Sequence, residues 1–570
     1  MNRGSVYGIV TLRKGPAEPQ KGRKKTLKEE GPGNMKDVKA VYVQSCIRNV
    51  ESLSKELGVS DLSDRKKAEE AIFLAAMEKW GPELGKHICG RYAVVIEDPS
   101  ENKLYLIRDH FGQEPLYYCV ADGILYYSSD IRELIRQSGI KKEINEKTIA
   151  AFFVYGYPLG PETFFQGVKK LQAGHRLVWD MKKKEFAAEG SWFQPEYKED
   201  TFASEEEWIK RTESVLETIM EEERKDMEKD DPVCLLSSGV DSSYLLAASG
   251  IPRAAGISFP DKGFSEAESA EETAKILGRS FTKYICTPEE FLENHREYVS
   301  AADQPIVNPT VPVIAGVCKR LCKETELIYS GEGADELFLG YFDCTPLEML
   351  YRTRKPYFGF AFSTGLKDLK MLFKADCSWI AESIPEEISR DTRNARPQYA
   401  ARWMDTHLTF EGDTCAYVSY LRSRFNTEVR LPYADPRLFD ISSKVPMKYL
   451  LHKTGKGIRL LPGIFGKRND EPHMTGKYIF RKLAAKKLPE KIAFRKKRAF
   501  PAPVRTWMQS PPLREYFQEL IFSNASERFF NMDYVRNLWD ACRSGDTKGW
   551  RILYAIGTFI GWYHETFEKQ

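Results

Sequence analysis

Three short segments carry the residue types that chemistry on phosphates and carboxylates requires. The first is Pro232-Val233-Cys234-Leu235-Leu236-Ser237-Ser238-Gly239-Val240-Asp241-Ser242-Ser243. A short apolar strand there runs into a serine/glycine turn, and a helix follows through Tyr244–Ala248. Such a turn aims backbone N–H groups and hydroxyls at one point, with a helix N-terminus behind them. That is a preformed site for a multiply charged phosphate. An aspartate inside an anion site repels phosphate unless a divalent cation stands between them, so Asp241 reads as a Mg2+ ligand. The turn is neither a G-x-x-x-x-G-K-S/T loop nor a G-x-G-x-x-G following a strand. A plain Ser-rich helix cap would use the same residues.

The second segment is Leu327-Ile328-Tyr329-Ser330-Gly331-Glu332-Gly333-Ala334-Asp335-Glu336-Leu337-Phe338. Again a strand feeds a glycine turn, now with three carboxylates. Asp335 would share Mg2+ with Asp241, since two carboxylates plus phosphate oxygens make a common magnesium shell. Glu332 stands between two glycines, where backbone approaches a substrate closely. A turn with acids at a helix N-terminus has the same pattern. The third segment is basic: Thr475-Gly476-Lys477-Tyr478-Ile479-Phe480-Arg481-Lys482-Leu483, then Phe494-Arg495-Lys496-Lys497-Arg498-Ala499-Phe500-Pro501. Solvated faces and weak nucleic-acid patches look like this too. Here the cations lie between apolar anchors, so at least one is expected to point inward.

The rest of the composition excludes several classes of function. Lys+Arg number 85 against 82 Asp+Glu, a net +3 that argues for neither nucleic acid nor membrane as a partner. The 11 cysteines form no C-x-x-C pair, and the closest two, Cys318 and Cys322, are one helical turn apart. The 8 histidines show no H-x-x-x-H spacing, so zinc is not expected. The stretch MNRGSVYGIVTLRKG lacks the apolar centre of a signal peptide, and Ile552–Tyr563 is too short to span a bilayer. A cytoplasmic protein without membrane insertion is the expectation.

The elements that must position these residues fall into two halves. The first reads mostly as strands, such as Tyr92–Ile96, Lys103–Arg108 and Leu125–Ser128, interrupted by helices around Arg48–Leu57 and Arg65–Lys79. A Gly/Pro/Lys-rich stretch between Gly15 and Asn34 reads as a loop. From Ser204 an amphipathic helix carries Trp208, Val215, Leu216 and Ile219 on one side. The boundary is placed near residue 200, giving domains 1–200 and 201–570. Beyond it, strand–turn–helix units predict a parallel α/β sheet, and helices dominate from about residue 400. No internal repeat is present.

Together the three segments resemble the glutamine-dependent asparagine synthetase family. Its S-G-G-x-D-S loop corresponds to Ser237-Ser238-Gly239-Val240-Asp241-Ser242, and its S-G-E-G-x-D-E segment is intact from Ser330 to Glu336. Asp303-Gln304-Pro305, the run Glu428–Asp435 and the block from Lys477 to Trp507 are similar as well, in the same order. In the first half, Arg108-Asp109-His110-Phe111-Gly112-Gln113-Glu114-Pro115-Leu116-Tyr117-Tyr118 and Ser128-Ser129-Asp130 resemble the family's glutaminase domain. The resemblance spans essentially the whole chain. It implies a degenerate N-terminal-nucleophile αββα sandwich (class II glutamine amidotransferase-like) followed by an α/β ATP-pyrophosphatase domain with a parallel sheet and a helical C-terminal part.

The family's glutaminase chemistry has no counterpart here. Its N-terminal cysteine followed by Gly is matched by Tyr7-Gly8, with six residues ahead of it, and a phenol inside a chain cannot act as an N-terminal thiol. No R-G-P-D loop occurs in Lys21–Asn34, Gln44-Ser45-Cys46 replaces Asn-Gly-Glu, and Cys89 stands for an aspartate. The resemblance therefore implies a carboxylate-activating, AMP-forming ligase that does not hydrolyse glutamine. ATP and Mg2+ are the implied cofactors. Ser237, Ser238, Gly239 and Ser242 would cradle pyrophosphate, Asp241 and Asp335 hold the metal, and Lys497 stabilise charge on phosphorus. Glu332 would position or deprotonate the amine, with Gly331 beside it and adenine against Ile257-Ser258-Phe259. β-Lactam synthetases and lasso-peptide cyclases, relatives with a degenerate glutaminase domain, join an amine and a carboxylate of one substrate. The leading expectation is such an intramolecular cyclase, with a precursor peptide as one conceivable substrate. An ammonia-dependent synthetase is the alternative, and a nucleotide-binding scaffold without activity the third reading. Specificity is expected around Asp303–Pro312 and Phe342–Phe373, with Tyr351–Phe362 as a pocket lining or core.

Overall fold

Apolar residues without alternation, as in Tyr92-Ala93-Val94-Val95-Ile96, require a strand covered on both faces. The computed structural model of the chain meets that requirement. It describes residues 38–193, 196–227, 230–261, 263–341, 366–373, 397–454, 473–496, 502–546 and 549–569. Two compact units result: the described part of Met1–Lys142 with Gly167–Gln194, and Glu143–Gln166 with Pro195–Gln570.

The first unit holds strands β1 (Lys39–Ile47), β2 (Gly90–Asp98), β3 (Lys103–Arg108), β4 (Tyr117–Ala121), β5 (Ile124–Ser128), β6 (Lys169–Lys170), β7 (His175–Asp180) and β8 (Glu185–Ser191). Its helices are α1 (Val50–Leu57), α2 (Arg65–Trp80) and α3 (Ile131–Ser138). An antiparallel sheet in the order β1-β2-β3-β7-β8 stacks on a smaller one, β5-β4-β6. Val94, Ile96 and Ile107 face α1 and α2, packing on Leu53, Ile72 and Phe73. The alternate residues Ala93, Val95 and Leu106 meet Tyr118 and Leu125 of the smaller sheet. Helix α3 covers that sheet's other side, so the layers are α, β, β, α. Helices α2 and α3 start at Asp64 and Asp130, whose carboxylates accept backbone N–H groups of the first turn.

The second unit begins with helix α4 (Glu146–Tyr155), buried on nearly every side. Its Phe153 ring lies 5.4 Å from Phe373 and 5.3 Å from Phe530, and Phe164 lies 5.0 Å from Trp562. A helix apolar all round needs a core on every side, and the described aromatic neighbours supply one. Residues 143–166, which the expected boundary near residue 200 places in the first half, thus pack with the second unit.

Helix α5 (Glu205–Met227) buries Trp208, Leu216 and Ile219. Strands β9 (Val233–Leu235), β10 (Arg253–Ser258), β11 (Ser280–Ile285), β12 (Leu327–Tyr329) and β13 (Glu428–Arg430) pair in parallel, in the order β11-β10-β9-β12-β13. The crossovers are α6 (Val240–Ser249), α7 (Ala267–Ile276), α8 (Pro288–Ala301) and α9 (Thr310–Leu321); α10 (Ala334–Phe338) follows β12. Strand order reverses between β9 and β12. At such a switch point the loops leaving the two strands part in opposite directions and open a crevice at their carboxyl ends. The described remainder is mostly helical: Pro397–Met404, a π-helical segment Asp405–Cys415, Ala416–Phe425, and helices from Tyr478 to Tyr563, with a ribbon β14 (His452–Thr454) and β15 (His473–Thr475). No helix among the described residues is long and apolar enough to cross a membrane.

Candidate active site

The serine turn and the Ser330–Gly333 turn leave β9 and β12, the two strands that flank the switch point. They touch. A Cβ on Gly331 would lie 2.8 Å from the Ser242 nitrogen, so only glycine lets the second turn approach the first turn of α6. Within the serine turn, the Ser242 hydroxyl accepts the Ser237 N–H at 3.1 Å, and the Ser237 hydroxyl accepts the Gly239 N–H at 3.1 Å. The N-cap of α6 is Gly239, which offers no side-chain cap. The helix N-terminus therefore stays open to an anion.

Both turns line a cavity of about 530 Å3. Ser237, Gly239, Asp241, Ser242, Ile257, Gly331, Glu332 and Asp335 all reach its wall, so most of the residues expected at the site meet there. Two do not. The Ser238 hydroxyl turns to Glu266 and donates to Oε2 at 2.7 Å, and Ser258 donates to Ser265 at 2.9 Å. Lys497 lies outside the described residues, as do Tyr7, the Lys21–Asn34 stretch and Tyr351–Phe362.

Among the described residues of the basic segment, Lys477 is the cation that reaches the two carboxylates. Its Nζ stands 2.5 Å from Asp241 Oδ2 and 2.7 Å from Asp335 Oδ1, with the lysine side chain 2% exposed. The two carboxylates expected to share Mg2+ thus converge on one cationic position. Backbone geometry fixes it: Lys477 and Leu339 both adopt the left-handed conformation, at φ 60° and 59°. The Lys477 N–H donates to the Phe338 carbonyl at 2.9 Å. Around them, a Cβ on Gly340 would lie 1.7 Å from Asp335 Oδ1, and one on Gly476 would lie 2.0 Å from the Leu339 carbonyl oxygen. Non-glycine residues in this region carry strain, which concentrates at functional sites. Buried Arg481 donates to the carbonyls of Gly476, Ala493 and Arg495. Arg495 in turn donates to the Ser238 carbonyl at 3.3 Å, so the basic segment reaches the serine turn.

A further part of the wall comes from the π-helical segment and the start of the helix Ala416–Phe425. Wider winding brings residues four apart nearly into line, and Asp405, Thr409, Asp413 and Tyr417 all line the cavity. Asp413 accepts from the Asn308 amide at 3.0 Å. Burial pushes its carboxyl up to about 7; the Asn308 hydrogen bond works against this and the Glu332 charge adds to it. The Tyr417 hydroxyl is hydrogen-bonded to Glu332, and its pKa is raised by burial and then by that carboxylate. Tyr155 and Tyr157, from the end of α4 and just beyond it, complete this side. Sequence reading missed Lys477 as a site residue, because spacing did not distinguish it from other cations. It also missed the π-helical wall, although a polar residue at every fourth position from Asp405 was visible.

In the first unit, Gln44-Ser45-Cys46 lies on β1. Buried Glu69 accepts the Ser45 hydroxyl at 2.5 Å and the Ile47 N–H at 2.9 Å. Cys89 is buried, with its N–H held by the Asn49 side chain at 2.9 Å.

Comparison with known proteins shows the family of the chain. The asparagine synthase family model matches residues 215–564, and the glutamine amidotransferase domain model matches residues 29–192. The chain is 24% identical to asparagine synthetase (glutamine-hydrolyzing) 1 of Bacillus subtilis (strain 168), over 92% of this chain and 85% of that protein. It is 21% identical to asparagine synthetase (glutamine-hydrolyzing) 3 of the same organism, over 82% of this chain and 76% of that one.

Proposed function

Because the chain belongs to the asparagine synthase family, we propose that it is an ATP-dependent amide synthetase that takes its amine from a source other than glutamine. The observation that carries this reading is the meeting of the serine turn, Asp241, Asp335 and Lys477 on one cavity at the switch point of a parallel sheet. A carboxylate resists amines because it is anionic and lacks a good leaving group. In the proposed first step a substrate carboxylate oxygen bonds the α-phosphorus of ATP, and the bond to the bridging oxygen breaks, releasing pyrophosphate. In the second, the amine nitrogen bonds the acyl carbon and AMP departs with the electron pair. The amine's proton is taken up at a Glu332 oxygen.

Each residue has a part in this scheme. The open N-terminus of α6 and the hydroxyls of Ser237 and Ser242 would bind phosphate oxygens, and Lys477 would offset charge on the departing pyrophosphate. Lys497 is assigned the charge on phosphorus, and Ile257 the adenine face. The donor set fits a divalent cation: two carboxylates converge on one cationic position, and phosphates supply the other oxygens. Such an ion, held by Asp241 and Asp335, would add charge neutralisation to the leaving group.

An intramolecular cyclase is the reading favoured for the amine source, supported by Tyr7 and Cys89 at positions where glutamine hydrolysis needs other chemistry. A substrate carrying both amine and carboxylate, a peptide among the candidates, needs no ammonia supply. Glu332 is the observation on the side of an ammonia-using synthetase, since the family segment is intact through it. The test is pyrophosphate release from Mg-ATP with aspartate and ammonium chloride, with asparagine quantified alongside. Asparagine at enzymatic rates overturns the cyclase reading. Its absence, with pyrophosphate released on peptides bearing a free amine and a carboxylate, upholds it. Asp241→Asn abolishes pyrophosphate release on either enzymatic reading, whereas a scaffold keeps its partner.

A further inference from the structure

Lys477 occupies the place where a metal would be expected. Its ammonium is the group on which Asp241 and Asp335 converge, at 2.5 and 2.7 Å. The position is enforced from several sides. The residue is left-handed at φ 60°, its N–H is held by the Phe338 carbonyl, and its stem passes where a side chain on Gly340 would come within 2.0 Å of Cε. Its backbone cannot retreat, so only the end of the side chain is able to move. Asp241 lies in the first turn of α6, directly beyond the serine turn. An ammonium leaving the carboxylates therefore has the serine turn, and any phosphate bound there, within reach.

A monovalent cation in contact with two carboxylates competes with a divalent one. The divalent ion needs the same oxygens, and a second positive charge a few ångströms away repels it strongly in a buried site. Phosphate oxygens change both sides of that balance, offering the ammonium another anion and the metal further ligands. We propose that Lys477 holds the cation position between Asp241 and Asp335 until nucleotide phosphates draw it out, so that divalent-cation binding at these carboxylates depends on nucleotide. The inference rests on the reading of the serine turn as a nucleotide-phosphate site. Lys477 thereby also offsets part of the charge of the two carboxylates in the unliganded protein.

The test is Mn2+ binding to the full chain, followed by the loss of the free-ion paramagnetic signal, with and without a non-hydrolysable ATP analogue. Without nucleotide, wild type should bind Mn2+ weakly, and Lys477→Met should bind it on the order of tenfold or more tightly. Lys477→Arg, which keeps a cation, should stay weak. Adding Asp241→Asn to Lys477→Met should remove the gain. Tight Mn2+ binding by wild type without nucleotide overturns the inference, as does a folded Lys477→Met protein that binds no better than wild type. Should Lys477→Met fail to fold, the wild type alone decides, since weak binding without the analogue and tight binding with it are both required. A protein that binds no analogue at all overturns the nucleotide reading itself. That outcome is distinct from the gain or loss of Mn2+ binding by Lys477→Met in the absence of nucleotide.

Discussion

The Tyr157 ring packs against the backbone of Gly412 so closely that a Cβ at residue 412 would lie 2.4 Å from it. Its hydroxyl is 3.2 Å from the hydroxyl of Thr409, in the same π-helical segment. The segment following α4 thus fixes the wall that carries Asp413. Gly412→Ala would ordinarily favour a helix, but here the rigid ring has to move. The expected result is a net loss of roughly 1–3 kcal/mol from overpacking, measured by denaturant melts. Under the proposed reaction, the Michaelis constant for the carboxylate- and amine-bearing substrate should rise while that for ATP stays put.

Two buried groups of the second unit give the stability opposite pH dependences. Asp413 is raised to about 7 by burial, opposed by Asn308 and reinforced by Glu332. Between about pH 4 and 7 the folded chain holds a proton that the unfolded chain has lost, so this group's contribution falls as pH rises through that window. His295 is lowered to about 3 by burial and then by Arg296. Its contribution is present above the ordinary histidine value and is lost as pH falls from about 6.5 towards 3. Asp413→Asn should remove the fall in stability as pH rises from about 4 to 7, by on the order of 1–3 kcal/mol, and so leave the His295 loss towards low pH unopposed. Chemical denaturation of both proteins at a series of pH values from 3 to 8 separates the two contributions.

Ser238 is the departure from the glycine of the family loop, and its hydroxyl is engaged by Glu266 at 2.7 Å. The other oxygen of Glu266 is buried with no hydrogen-bond partner among the described residues. Ser238→Ala leaves both carboxylate oxygens short of donors and should cost about 1–3 kcal/mol. Ser238→Ala with Glu266→Ala should recover much of this, and a double-mutant cycle on melting temperature measures the coupling. Nucleotide affinity is expected to change less than tenfold in Ser238→Ala alone, because the Ser238 hydroxyl is turned towards Glu266 rather than the cavity.

Helix α4 belongs to the packing of the second unit, with Phe153 set among Phe373, Phe530 and Phe559. Phe153→Ala should destabilise that unit by roughly 3–5 kcal/mol. A chain starting at residue 200 would lack α4 altogether and expose those rings. It should bind a hydrophobic dye and unfold without a sharp transition, whereas the full chain melts cooperatively.

Much of the site is legible in the amino-acid sequence, because local rules dictate it. A β-strand, a serine/glycine turn and a helix follow from residues 232–248 alone, and the acidic turn after Leu327–Tyr329 follows in the same way. The layered first half is legible from apolar runs and the family resemblance. Other features depend on residues distant in the chain. Which cation points inward is decided by Gly340, Gly476 and left-handed Leu339, which place Lys477 against Asp241 across 236 positions. Tyr157 reaches Thr409 across 252 positions, and no window of sequence contains both. Ser238 has the residue type of a phosphate ligand, but Glu266 gives its hydroxyl a nearer acceptor. Backbone preference and residue type act over a few positions, and they suffice for the strand–turn–helix units and the chemistry of each turn. The partners follow from packing alone, because a buried charge settles on whichever opposite charge the fold brings within hydrogen-bond distance.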